Sequence, residues 1–142
     1  KSEPDKREYK YLKLDNGFKL FLISDPEADK SAAALSVGIG SALDPRPLDG
    51  VAHFLEHMLF QGSKKYPDVN EYNNFISNNG GSNNAFTGLS ETNFHFSCSN
   101  EAFEEGIDRT AQFFIHPNFS IDSTEKEVKA VDSEFRISLQ ND

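Results

Sequence analysis

Gly50-Val51-Ala52-His53-Phe54-Leu55-Glu56-His57-Met58-Leu59-Phe60 decides how this chain is read. At helical spacing the stretch is apolar almost all the way round, the pattern of a buried helix. Yet it carries two histidines and a glutamate. Residues three and four apart share a helix face, so His53, Glu56 and His57 form one polar stripe. Polar and charged groups in a dry setting need a partner or a metal. Two imidazoles at i and i+4 can hold one ion, and zinc favours imidazole nitrogen. Glu56 then stands beside the metal, free to handle a proton. A His-x-x-x-His pair alone is more often a surface or structural pair. The apolar run around it and the glutamate on the same face favour the metal. The order His-x-x-Glu-His reverses the commoner His-Glu-x-x-His and is a motif in its own right.

A catalytic tetrahedral zinc takes three protein ligands and keeps one position open. The helix offers two, and the candidate third is Glu134, in Glu127-Val-Lys-Ala-Val-Asp-Ser-Glu134-Phe. There Val128, Val131, Phe135 and Leu139 recur at helical spacing and predict the packed side. Glu127 and Glu134 are seven residues apart and lie on one line. With Glu134 as ligand, Glu127 is placed as an outer-shell partner. Spacing alone equally allows a solvated helix with ordinary surface glutamates.

These residues resemble the inverted-motif zinc peptidases of the pitrilysin/insulysin family. The likeness includes His53-Phe-Leu-Glu-His-Met-Leu-Phe60, Gly62-Ser-Lys-Lys-Tyr-Pro67, Asn84-Ala-Phe-Thr87 and Ala130-Val-Asp-Ser-Glu134. Several separated motifs in order, from about Tyr11 to the end, are similar to the insulysin branch in particular. The resemblance implies His53, His57 and Glu134 as zinc ligands, Glu56 as general base and Glu127 as the supporting carboxylate. It also implies a two-layer domain cut from a much larger peptidase, residues 1–142 being the first part of its zinc-binding catalytic domain. One departure is Phe135, where insulysin-like chains more often carry a polar residue.

The chain has 142 residues, 37% apolar with thirteen Phe, a globular composition with room for a core. Its formal net charge of −9 argues against nucleic acid, which needs a basic patch. No apolar run is long enough to span a membrane as a helix. The start is not signal-like, and a cytoplasmic location is favoured. A removed leader would allow a secreted or organellar one, since the chain does not begin with Met. The single cysteine, Cys98, is expected to be a buried inert thiol.

Residues 9–14 and 18–24 read as strands joined at Asn16-Gly17, a strong hairpin signal. Residues 31–39, small and apolar, read as a third strand covered on both faces. Gly38-Ile-Gly40 lacks the third glycine of a phosphate loop and reads as a bend leaving the sheet. A second helix is expected over 69–78, with Glu71 closing a capping box on Asp68. Two more strands follow over 83–87 and 92–98, with His95 on the polar side. A third helix is expected over 101–114, facing inward with Phe103, Ile107, Ala111 and Phe114. The last helix begins near Ser123. Together these give an α+β fold, a two-layer mixed β-sheet with helices packed on one face.

The expected chemistry is hydrolysis of peptide bonds in oligopeptides, with the isolated segment expected to be inactive. An extended peptide can add to a sheet edge as a further strand. The resemblance places Asn84 and Ala85 at such an edge with Phe86 as an apolar contact, although an ordinary strand and turn fits those residues equally. Two other classes stand beside the peptidase. One is a non-catalytic scaffold of the same fold, which usually loses motif residues. The other is a module with a structural zinc, which normally needs four protein ligands, cysteines among them. Expected partners are peptide substrates and the remaining domains of the same protein. Self-association is a further possibility for a segment whose apolar seam is uncovered.

Overall fold

Asn16-Gly17 closes the hairpin that its sequence predicts. The amide of Phe18 donates to Asn16 Oδ1 at 3.0 Å, and β1 (Glu8–Lys13) pairs with β2 (Lys19–Ser24), Tyr11 opposite Phe21. The computed structural model describes residues 1, 2 and 4–138. Its other strands, β3 (Lys30–Val37), β4 (Ser82–Thr87) and β5 (Thr92–Ser99), form a second sheet in the order β3-β5-β4. Every pairing among the described strands is antiparallel. Four helices complete the α+β architecture: α1 (Val51–Leu59), α2 (Glu71–Asn78), α3 (Phe103–Ile115) and α4 (Ile121–Ser138).

The core lies between the three-stranded sheet and the helices. Phe94, Phe96 and Cys98 of β5 meet Leu59, Tyr72, Ile76, Ala102 and Phe113. Strand alternation buries those three and leaves His95 exposed, as the sequence indicates. Burial raises the Cys98 thiol pKa, which keeps it unreactive. Burial also pushes the Tyr72 phenol up to about 12. Its hydroxyl meets the Thr110 hydroxyl at 3.1 Å.

Several helical faces differ from expectation. In α1, Ala52, Glu56, Met58 and Leu59 are buried, whereas Val51 and Leu55 are exposed. The helix is therefore covered on one side only. β3 likewise alternates between exposed and half-buried residues, because it is an edge strand with a single neighbour. The capping box at Glu71 does not form, and α2 starts at Glu71 rather than Val69. Glu71 instead receives Arg109 of α3 at 2.8 Å. The Arg109 guanidinium also lies 3.8 Å over the Phe75 ring, so a cation clamps α2 to α3. In α3 Gly106 and Phe113 are buried, and Phe103 packs against the core as expected. Ile107 and Phe114 are exposed. The stripe turns because Gly106 admits the Phe96 ring, whose nearest atom would lie 2.7 Å from a Cβ there.

The largest difference concerns α4. Val128 and Phe135, expected inside, are 52% and 60% exposed. The packed side instead carries Ser123, Glu127, Ala130 and Val131, and Leu139 falls outside the described residues. The two glutamates thus direct the docking of α4 on α1, and the valine–phenylalanine line faces out.

Gly40 ties the sheet to the start of the motif helix. A Cβ there would lie 2.7 Å from Glu91 N and from Leu89 C, and would collide with the Gly88 carbonyl. Backbone cannot yield as a side chain does, so Gly40→Ala should destabilise the fold by about 2 kcal/mol or more. A lowered urea midpoint with an unchanged m-value would show it; an unchanged midpoint would rule the close approach out.

Candidate active site

Asp44 starts the helix that carries the site. Its carboxylate accepts from Gly50 N at 2.7 Å and from Ala52 N at 2.8 Å, which satisfies two amides at the α1 N-terminus. One turn apart on α1, His53 Nε2 and His57 Nε2 face each other at 3.2 Å. Glu134 Oε2 of α4 lies 3.4 Å from the first and 3.5 Å from the second. The structure therefore brings together the three residues expected as ligands.

Glu127 orients one member of this trio, His57. His57 Nδ1 lies 2.9 Å from Glu127 Oε2, and a ring N–H there must donate to the carboxylate. In the neutral ring His57 Nε2 is then a bare lone pair, 3.2 Å from another imidazole nitrogen and 3.5 Å from a carboxylate oxygen. With His53 Nε2 also unprotonated, the three atoms are a donor set that could hold a metal ion. Four-coordinate zinc with ligand distances of about 2.0–2.2 Å separates its ligand atoms by about 3.3–3.5 Å. The three separations of 3.2, 3.4 and 3.5 Å lie close to the edges of that tetrahedron. The set leaves one corner open, as catalytic rather than structural sites do.

Glu127 is the outer partner of His57, and Gln61 was not foreseen as its companion. Gln61 Nε2 donates to Glu127 Oε1 at 3.1 Å, so both oxygens of a largely buried carboxylate are engaged. Gln61 lies just past the helix end, and nothing in its spacing separates it from an ordinary capping residue. Glu127→Ala should weaken metal affinity about 10- to 100-fold, the usual cost of losing such a partner. Titration with zinc would measure this, and an unchanged affinity would remove Glu127 from the role.

Glu56 is buried, 7% exposed, one turn from His53. Its Oε2 accepts from the Thr87 hydroxyl at 2.5 Å, the second contact that sequence reading did not foresee. Asn84, Ala85 and Phe86 lie just before Thr87 on β4, which among the described strands has a neighbour on one side only. Ala85 packs against the core, while Asn84 and Phe86 point to the opposite, exposed face. Among the described residues, no hydrogen bond joins those three side chains to the histidine–glutamate group. His95 and His116 are also apart from it, and both are exposed.

Comparison with known proteins identifies the family of the chain. The family model "Insulinase (Peptidase family M16)" matches residues 19–141. Human insulin-degrading enzyme is 54% identical over all 142 residues. Insulin-degrading enzyme-like 2 of Arabidopsis thaliana is 51% identical over the same span. The crystal structure of pitrilysin superposes with a TM-score of 0.90 at 40% identity, over 97% of this chain. The chain spans 14% of the human relative, and 15% of the plant relative and of pitrilysin. The match covers most of this chain, which belongs to the insulinase family, peptidase family M16.

Proposed function

We propose that this chain is the metal-binding catalytic segment of a longer zinc endopeptidase acting on unstructured peptides. The convergence of His53, His57 and Glu134 beside the buried Glu56 carries the reading. The three ligand atoms lie within 4.8 Å of one another, on two helices that pack together. His53 Nε2, His57 Nε2 and Glu134 Oε2 would hold the ion. A bound zinc supplies a Lewis acid for the scissile carbonyl and lowers the pKa of water at the site.

The chain's own residues do the rest. Glu127 fixes the His57 tautomer that leaves Nε2 unprotonated. Glu56 Oε2 is held by Thr87, and Oε1 accepts the proton of the attacking water and returns it to the leaving amine. The uncovered edge of β4 offers backbone groups from Ser82 to Thr87 to an extended peptide. Asn84 and Phe86 flank that peptide, and Ala85 keeps the strand seated on the core. Other domains of a longer chain would complete the cleft. Exposed apolar residues such as Phe21, Ile23 and Phe119 suit such a cover.

A non-catalytic scaffold of the same fold is the second reading. Retention of all five motif positions, His53, Glu56, His57, Glu127 and Glu134, favours catalysis over it. The test is cleavage of a quenched fluorescent peptide by the full-length protein that carries this segment. Activity lost to a chelator and regained with zinc is the expected result. A zinc-loaded protein that leaves every unstructured peptide intact would overturn the proposal.

A further inference from the structure

We propose that Thr87 is the positioning residue of the general base. Its hydroxyl donates to Glu56 Oε2, which leaves Oε1 as the carboxylate oxygen available to take a proton. This rests on the peptidase reading above, in which Glu56 is the base. The observation is independent of the metal. A buried carboxylate needs partners, and Thr87 is the hydrogen-bond partner that Glu56 has among the described residues.

The fold holds Thr87 firmly enough to aim another side chain. Alternation along β4 turns Asn83, Ala85 and Thr87 toward the helices. Asn83 Nδ2 donates to Asn73 Oδ1 of α2 at 3.0 Å, and Thr87 reaches α1 from the same face. Thr87 is paired with Thr92 across the sheet. The turn that follows is tied to the segment entering α1, with Ser41 N on Gly88 O and Ala42 N on Leu89 O, each at 3.0 Å. Thr92 Oγ1 closes the same corner on Ile39 O at 2.9 Å. A β-branched side chain on such a backbone has few rotamers open to it. Valine would fill the same space, so the hydroxyl's purpose at this position is the bond to Glu56.

The sheet edge and the base are thereby joined through one strand. The backbone of residues 84–86 that would pair with a peptide runs directly into the residue that holds the carboxylate.

Two measurements test this. In the zinc-free full-length protein that carries this segment, Thr87→Val is made in the native background and in Glu56→Leu. Loss of a hydrogen bond to a buried carboxyl group should lower Tm by about 4 °C or more in the first. In the second, where no carboxylate remains, the shift should vanish. An equal shift in both backgrounds, zero included, would overturn the contact. In the zinc-loaded full-length protein, Thr87→Val should lower kcat about 10- to 100-fold with KM and bound zinc unchanged. Thr87→Ser, which restores the hydroxyl, should recover most of it. A loss confined to KM or zinc, an unchanged kcat, or failure of serine to rescue would refute the positioning role. If the native protein cleaves nothing, the peptidase reading fails instead, and the thermal cycle still judges the hydrogen bond.

Discussion

Glu56→Gln abolishes peptide cleavage and leaves the metal in place. Glutamine is nearly isosteric, and its amide oxygen can still accept the Thr87 hydroxyl, so the 7%-exposed site keeps its packing and its hydrogen bond. The proton acceptor alone is lost. General-base catalysis contributes about 10²- to 10⁴-fold, and kcat should fall by that much in the full-length protein. His53, His57 and Glu134 are untouched, so zinc content should stay at the native level. The paired readout is turnover of a peptide with metal analysis of the same sample. Full turnover would show that another group handles the proton; lost zinc would move Glu56 into the ligand set.

His57→Ala has the opposite signature: the metal goes, and catalysis goes with it. The substitution removes one of three ligand atoms and also strands Glu127, whose Oε2 sits 2.9 Å from His57 Nδ1. Glu127, only 19% exposed, would keep Gln61 alone as a partner. Zinc affinity should therefore fall by far more than the 10- to 100-fold expected for Glu127→Ala. Part of the docking of α4 should go as well, because Glu127 and Glu134 both reach α1 through His57. Calorimetric titration with zinc checks the first effect, and amide exchange in α4 the second. Unchanged affinity would exclude His57 from the ligands.

The sequence made the motif legible because helical spacing is a rigid ruler. His53, Glu56 and His57 lie where a 3.6-residue period puts them. The Asn16-Gly17 hairpin and the alternation of β5 were readable for the same reason, since each follows from local geometry. Faces that depend on a distant partner were not. Val128 and Phe135 fit an apolar stripe, yet α4 docks through its glutamates because they meet the histidines of α1. Glu71 fits a capping box, but Arg109, 38 residues on, takes its carboxylate. Gly106 carries no hydrophobic signal, although the Phe96 ring needs its missing side chain. Gln61 and Thr87 belong to the same class. Each is an unremarkable polar residue until the fold sets it against Glu127 or Glu56.

The most direct measurement is zinc bound per chain, by plasma mass spectrometry after dialysis against a weak chelator. The expected result is close to one zinc in the native chain and essentially none in His57→Ala. A native chain that holds no zinc, or a His57→Ala chain that holds as much, would contradict a metal centre built on His53, His57 and Glu134.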